Sequence, residues 1–358
     1  MSKSVLRLFF PGLLILVAAP VSFGADDDEL SGVHRGVSAK PVTRVAPRYP
    51  RSELGRGQQG WVQVSYVISA DGEIVDPVVE NSSGSDTFER EALRTVKRWS
   101  YEPATWDGVP VQQCHTEVMI TFAIDGAGTS VTKKFYNRYR RIGKAIDSGE
   151  LTKAQEMIDD VVDDLNLSLS EMAWLWAQRA RLAGLAGDKD AQLRALREAT
   201  QNNGRWVDEK LYPNLLLVRT ALEIEDGNFS EALSSHDKLV NVNEEHPQLE
   251  QLKPFVNSMR DLIASDTALS VPAAIGQEAD CVDCATNWHY HPLRRKFSIA
   301  DVNGSLRNIE FRCSWQRVVD EALEGITWDL PEDWGDCSIL VFGEPGTTFN
   351  LLELPPSL

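Results

Sequence analysis

The sequence predicts a multidomain α+β protein in three parts: a small three-stranded antiparallel sheet with a helix, an α-helical repeat domain, and a small disulfide-stapled β domain. Three observations predict it. Between Arg44 and Ile124, alternating strand patterns flank one stretch of helical spacing. From Val131 to about Ser265 strand signals vanish, and helical segments follow one another with short Gly-containing breaks. Beyond that, strand patterns return around turn-forming sequences, and Cys281, Cys284, Cys313 and Cys337 fall together there.

Composition bounds the function. A chain of 358 residues, 42% of them apolar, is long enough for two or three globular domains. Its net charge of -17 repels phosphate backbones and anionic headgroups, so no nucleic-acid partner is expected; the acidity serves solubility.

The first residues read as an export signal. Lys3 and Arg7 precede the apolar run Leu8 to Val21, and Ser22-Phe23-Gly24 offers small residues for a signal peptidase. Cleavage after Gly24 makes residues 1–24 a signal peptide and implies an oxidising periplasm. The alternative is an uncleaved inner-membrane anchor. A helix from Leu8 to Phe23 would span roughly 24 Å, short of the ~30 Å hydrocarbon core, and Pro11 and Pro20 interrupt it. No Cys follows the apolar run, so a lipoprotein anchor is not expected.

Residues 25–43 lack periodicity and read as a linker. In residues 44–126, Val62, Val64, Tyr66 and Ile68 alternate along Gly60 to Ile68, a half-buried strand. Ala70-Asp71-Gly72 signals a hairpin to a second strand, Glu73 to Glu80. Ser85 or Asp86 can cap a helix whose Phe88, Ala92, Leu93, Val96 and Trp99 form a core stripe rather than a binding stripe. Thr116 to Ile124 alternates again as a third strand.

Residues 131–265 break at Gly149-Glu150, Ala186-Gly187-Asp188 and Asp226-Gly227-Asn228, which pairs the helices into about three hairpins. Asp159, Asp160, Asp163 and Asp164 fit a solvated helix face better than a metal site, with Val161 and Val162 supplying the buried side. Residues 266–279, with small residues and Pro272, read as a second linker. In residues 280–358, Asn303-Gly304 lies between Lys296–Val302 and Leu306–Cys313 as a hairpin signal. Glu344-Pro345-Gly346 is a second turn, and the whole suggests a compact sheet or small sandwich.

Pro47, Tyr49-Pro50, Gly57, Gly60, Asp71-Gly72, Ser82-Ser83-Gly84, Ala92-Leu93, Val96, Trp99, Pro103-Ala104, Gly108-Val109-Pro110-Val111 and the strand to Phe122 stand in one ordered run. With these landmarks, the stretch from about Arg44 to Ile124 resembles the TonB C-terminal domain family. Small residues at the packing positions and a Gly-containing turn in Leu215 to Val240 resemble a degenerate tetratricopeptide (TPR-like) hairpin, and Ala173 to Ala199 is similar.

The first resemblance implies a periplasmic binding module and not an enzyme. Domains of this family pair a strand with an extended segment of an outer-membrane transporter, the TonB box, by β-augmentation. The corresponding edge strand here is Thr116, Glu117, Val118, Met119, Ile120, Thr121, Phe122 and Ala123. The implied partner is an outer-membrane transporter or other envelope protein. The ExbB–ExbD motor joins it only if the N-terminal segment stays as an anchor. A second reading is a periplasmic scaffold whose helical repeats carry the interface, with the TonB-like domain only a packing module.

No phosphate loop, nucleophile elbow or His-Glu-x-x-His motif is present, so no catalytic residue and no cofactor is expected. Cys281, Cys284, Cys313 and Cys337 are disulfide candidates with pairing left open. Zinc held by Cys281, Cys284, His289 and His291, or free thiols, are the alternatives, but the His spacing is unlike a finger and no metal site is expected. Cys114 is expected to be a free, partly buried thiol.

Overall fold

The structure is a computed structural model and describes residues 36–124, 130–164, 166–276 and 283–355, with the backbone only at 164, 283 and 284. The leader, the first part of the 25–43 linker, Cys281 and the Cys284 side chain lie outside the described residues. Residues Gly36–Leu358 form one compact unit.

The N-terminal region follows the order β1 (Gly36–Val37), β2 (Lys40–Thr43), α1 (Arg51–Arg56), β3 (Gly60–Ile68), β4 (Ile74–Ser82), α2 (Asp86–Val96), β5 (Ser100–Glu102), β6 (Ala104–Trp106), β7 (Val109–Val111) and β8 (Gln113–Phe122). Its main sheet is antiparallel in the order β4-β3-β8. The β3–β4 turn needs Gly72: its φ is 81°, and a Cβ there would meet the Tyr101 carbonyl oxygen at 1.9 Å. Ser85 occupies the N-cap of α2, but its side chain bonds no backbone N–H. Phe88, Ala92 and Val96 of α2 pack with Val62, Val64, Tyr66 and Ile68 of β3 and with Ile120 and Phe122 of β8.

Two expectations need correction here. Part of the predicted 25–43 linker is strand: Lys40–Thr43 pairs with β5, and Gly36–Val37 with β6. And β3 is not half-buried. Trp61, Ser65 and Val67, on the face opposite the α2 core, are 4%, 3% and 1% exposed, because the rest of the molecule covers that face.

Seven helices follow in the described residues of 133–264: α3 (Lys133–Asp147), α4 (Leu151–Asp164), α5 (Leu169–Ala186), α6 (Lys189–Ala199), α7 (Tyr212–Glu225), α8 (Phe229–Val242) and α9 (Leu249–Ala264). The three predicted breaks fall between α3 and α4, α5 and α6, and α7 and α8. Gly187 ends α5 in the left-handed conformation at φ 76°. A capping box of Ser168 and Glu171 starts α5, and the same Glu171 carboxylate accepts from Thr132, the N-cap of α3. Asp159 and Asp160 are solvated as expected. Val161 is buried, but Val162 is 44% exposed, so only one of the pair supplies the buried side.

The C-terminal region holds β9 (Leu269–Ala274), β10 (Asn287–Tyr290), β11 (Lys296–Asn303), β12 (Leu306–Cys313), β13 (Arg317–Glu321), β14 (Thr327–Asp329), β15 (Cys337–Gly343) and β16 (Thr348–Leu354). Two four-stranded antiparallel sheets, β10-β15-β12-β13 and β14-β11-β16-β9, enclose one core with Phe297, Ile299, Phe311, Ile339 and Leu351. This is a sandwich. A disulfide joins Cys313 at the end of β12 to Cys337 at the start of β15.

The turn signals of this region did not close hairpins. The strands β11 and β12, either side of Asn303-Gly304, lie in different sheets, as do β15 and β16 on either side of Glu344-Pro345-Gly346. Both turns carry the chain across the sandwich. The predicted linker 266–279 also contains β9, which pairs along β16 from Thr348↔Ala274 to Glu353↔Leu269.

Candidate functional site

The predicted edge strand is an edge. β8 pairs only with β3 in its sheet, and the strand runs from Gln113 to Phe122, so Ala123 lies just beyond it. Val118, Ile120 and Phe122 face the α2 core. Met119 packs against the helical region, and Thr121 is exposed. Among the described residues no strand covers the outer edge from Thr116 to Phe122. The start of the strand is occupied: the Cys114 N–H donates to the Ser314 carbonyl at 3.3 Å. Cys114 itself is free and fully buried, and burial pushes its thiol up to about 12.

The sheet face opposite α2 meets both other regions. Trp61 and Met119 join the core of α5 to α9. On the other side Arg312, 1% exposed, reaches across from β12: its guanidinium donates to Ser65 Oγ at 3.2 Å and the Asp76 carbonyl at 2.9 Å, and it pairs with Glu310 at 2.6 Å. Trp106 and Trp315 meet with centroids 5.6 Å apart.

Beside Arg312 lies a cluster that sequence reasoning missed. Glu80 of β4 and Glu117 of β8 each accept from the Gln63 amide of β3, at 3.0 and 3.2 Å through their Oε2 atoms. Their Oε1 atoms meet histidines. Glu80 Oε1 is 3.2 Å from His289 Nε2, and Glu117 Oε1 is 3.4 Å from both His115 Nε2 and His291 Nε2. The donor atoms of Glu80, Glu117 and His289 lie within 4.8 Å of one another, as do those of His115, Glu117 and His291. Glu80 Oε1, Glu117 Oε1 and His289 Nε2 are buried without a hydrogen-bond partner.

Burial, then the neighbouring His291, lowers His289 to about 3 and keeps its imidazole neutral. Burial and the Glu117 charge raise Glu80. For Glu117 burial opposes ionisation, but His115 and the other imidazoles outweigh it and hold the carboxyl low. The only signal in the sequence was the pair His289 and His291, read beside Cys281 and Cys284. Nothing there pointed to carboxylates some 170 to 210 residues earlier.

Residues 45–124 match the model for the Gram-negative bacterial TonB protein C-terminal region. Residues 45–124 form a TonB C-terminal domain. The protein TonB of Vibrio cholerae serotype O1 is 30% identical over 101 residues, 26% of this chain and 41% of that protein. The protein TonB of Pseudomonas aeruginosa is 35% identical over 95 residues, 26% of this chain and 28% of that protein. The chain thus spans less than half the length of the curated relatives it matches. The solution structure of the Pseudomonas aeruginosa TonB C-terminal domain is 33% identical and covers 25% of this chain and 88% of that one, at a TM-score of 0.22.

The TonB domain contributes Glu80, His115 and Glu117 to the cluster, and the C-terminal sandwich contributes His289 and His291; Glu80 is buried and the others are half-buried. Of the other predicted site residues, Cys313 and Cys337 are paired. No helix among the described residues is long and apolar enough to cross a membrane.

Proposed function

We propose that this chain is a periplasmic, TonB-type binding protein in support of outer-membrane transport. Its TonB domain takes up an extended segment of an outer-membrane transporter along β8 by β-augmentation. The single observation that carries this reading is the edge of β8 from Thr116 to Phe122, which pairs with no second strand among the described residues and whose backbone groups offer a ladder to an incoming strand. The acidic surface and the absence of any catalytic motif agree with binding rather than catalysis. The ExbB–ExbD motor enters only if Leu8 to Phe23 is retained as an anchor. The helices α3 to α8 are read as three TPR-like hairpins, closed by α9.

A proline scan tests the edge. Of two neighbouring strand residues one N–H points into the sheet and the other away. Val118→Pro and Met119→Pro are therefore compared for thermal unfolding and for capture of outer-membrane transporters. The variant that keeps its fold is expected to lose capture. Full capture by a folded variant refutes pairing along β8.

One observation favours the scaffold reading. The Cys114–Ser314 bond shows the sandwich already seated against the start of the edge. On that reading, the proline changes leave the partner bound, and removing α3 to α9 releases it.

A further inference from the structure

We propose that Glu80, Glu117 and His289, with His115 and His291 beside them, bind a divalent transition-metal ion of the zinc class, and that this ion clamps the C-terminal sandwich to the back of the TonB sheet. The sequence suggests a metal only as an alternative, held by Cys281 and Cys284 with these histidines, and holds no hint of the carboxylates. The structure separates His289 and His291 from a finger-like pattern and sets them against two glutamates.

The spacing fits. Zinc with nitrogen and oxygen donors at about 2.0–2.1 Å in a tetrahedron sets neighbouring donors about 3.3–3.4 Å apart. The observed separations are 3.2 Å for Glu80 Oε1 to His289 Nε2 and 3.4 Å for Glu117 Oε1 to each of His115 and His291 Nε2, and the Glu80, Glu117 and His289 set as a whole lies within 4.8 Å, so its wider pairs would close further around an ion. The Glu80–His289 approach lacks hydrogen-bond geometry, and both atoms, with Glu117 Oε1, are buried and otherwise unpartnered. The Glu80 side chain is 3% exposed. Native proteins rarely bury converging acceptors without a proton or an ion between them.

The surrounding groups also fit. Gln63 holds the outer oxygen of both carboxylates and turns the inner ones towards the histidines, the orienting role that a second layer of hydrogen bonds plays around bound metals. Two carboxylates balance a dication, and neutral imidazoles complete the donor set. Glu80, Gln63 and Glu117 stand on three adjacent strands of one sheet, and His289 stands on β10. The donors are thus fixed by rigid elements.

The test uses the full chain, stripped with a chelator and titrated with Zn²⁺ and with Co²⁺ as a visible-band probe. Saturable binding with a rise in Tm is expected. Glu117→Gln and His289→Ala should each weaken binding by at least about 100-fold, and Gln63→Ala by about 10–100-fold. Replacing Cys281 and Cys284 by Ser should change nothing. Glu117→Gln is isosteric and Gln63→Ala removes no ligand, so the test stands even where His289→Ala fails to fold. Three results would overturn the proposal: no binding by the native chain, which would mean that a shared proton suffices; undiminished binding in folded Glu117→Gln; or loss confined to the cysteine variant, which would move the site elsewhere.

Discussion

Arg312 is the residue that most clearly joins two parts of the chain. It is buried against Glu310, Ser65 and the Asp76 carbonyl, so its removal leaves the Glu310 carboxylate buried with only Arg317 to pair it. Arg312→Ala is expected to cost about 3–5 kcal/mol in urea unfolding; a cost below about 1 kcal/mol would show that the sandwich is only loosely seated. Glu310 supplies a pH dependence. Burial opposes its ionisation, but Arg317 and Arg312 outweigh burial and hold its carboxyl below the usual 4.5. A depressed carboxyl adds stability above that ordinary value, and the gain is withdrawn as pH falls through the folded value. Unfolding measured from pH 6 to pH 3 should therefore lose stability in the native chain, and lose less in Glu310→Gln. None of this was legible in the sequence, where an Arg in a β-rich stretch reads as a surface residue.

At the scale of elements, patterns with one buried face were legible and others were not. The helix around Phe88, Ala92 and Val96 stands where periodicity put it, because a single core orders its side chains, whereas the strand Gly60–Ile68 shows in its alternation but its second buried face does not. Lys40–Thr43 is exposed at every position, so alternation could not reveal it. Leu269–Ala274 carries Pro272, which reads as a linker, but β9 is an edge strand, where a missing N–H is tolerated. Asn303-Gly304 marked a turn correctly and said nothing about which sheet the next strand would join. The Cys313–Cys337 bridge closes a loop at a separation of 24 residues. Loop-closure entropy then assigns it about 3 kcal/mol, so Cys313→Ser should lower the free energy of unfolding by roughly that amount. An unchanged denaturation midpoint would assign the sandwich's stability to its core alone.

At the scale of the molecule, the TonB domain is not free-standing. Its sheet is covered on one side by α2 and on the other by the helical region and the sandwich, which is why Trp61 is 4% exposed. Trp61→Ala is expected to cost about 3–5 kcal/mol by calorimetry, and residues 36–124 alone should bind a hydrophobic dye that the full chain excludes. The sequence located the domain and its edge strand, but contacts across hundreds of residues leave no periodic trace, so the buried junction was invisible to it. With the back of the sheet closed, partners meet the sheet at its edges, and the outer edge of β8 is the one we assign to a partner strand. A photo-crosslinking residue placed at Thr121 on that edge, and in parallel at the 59% exposed Phe255 of α9, tests this most directly in cells. The account predicts adducts with outer-membrane transporters from Thr121 and not from Phe255; transporter or scaffold adducts from Phe255 alone would contradict it.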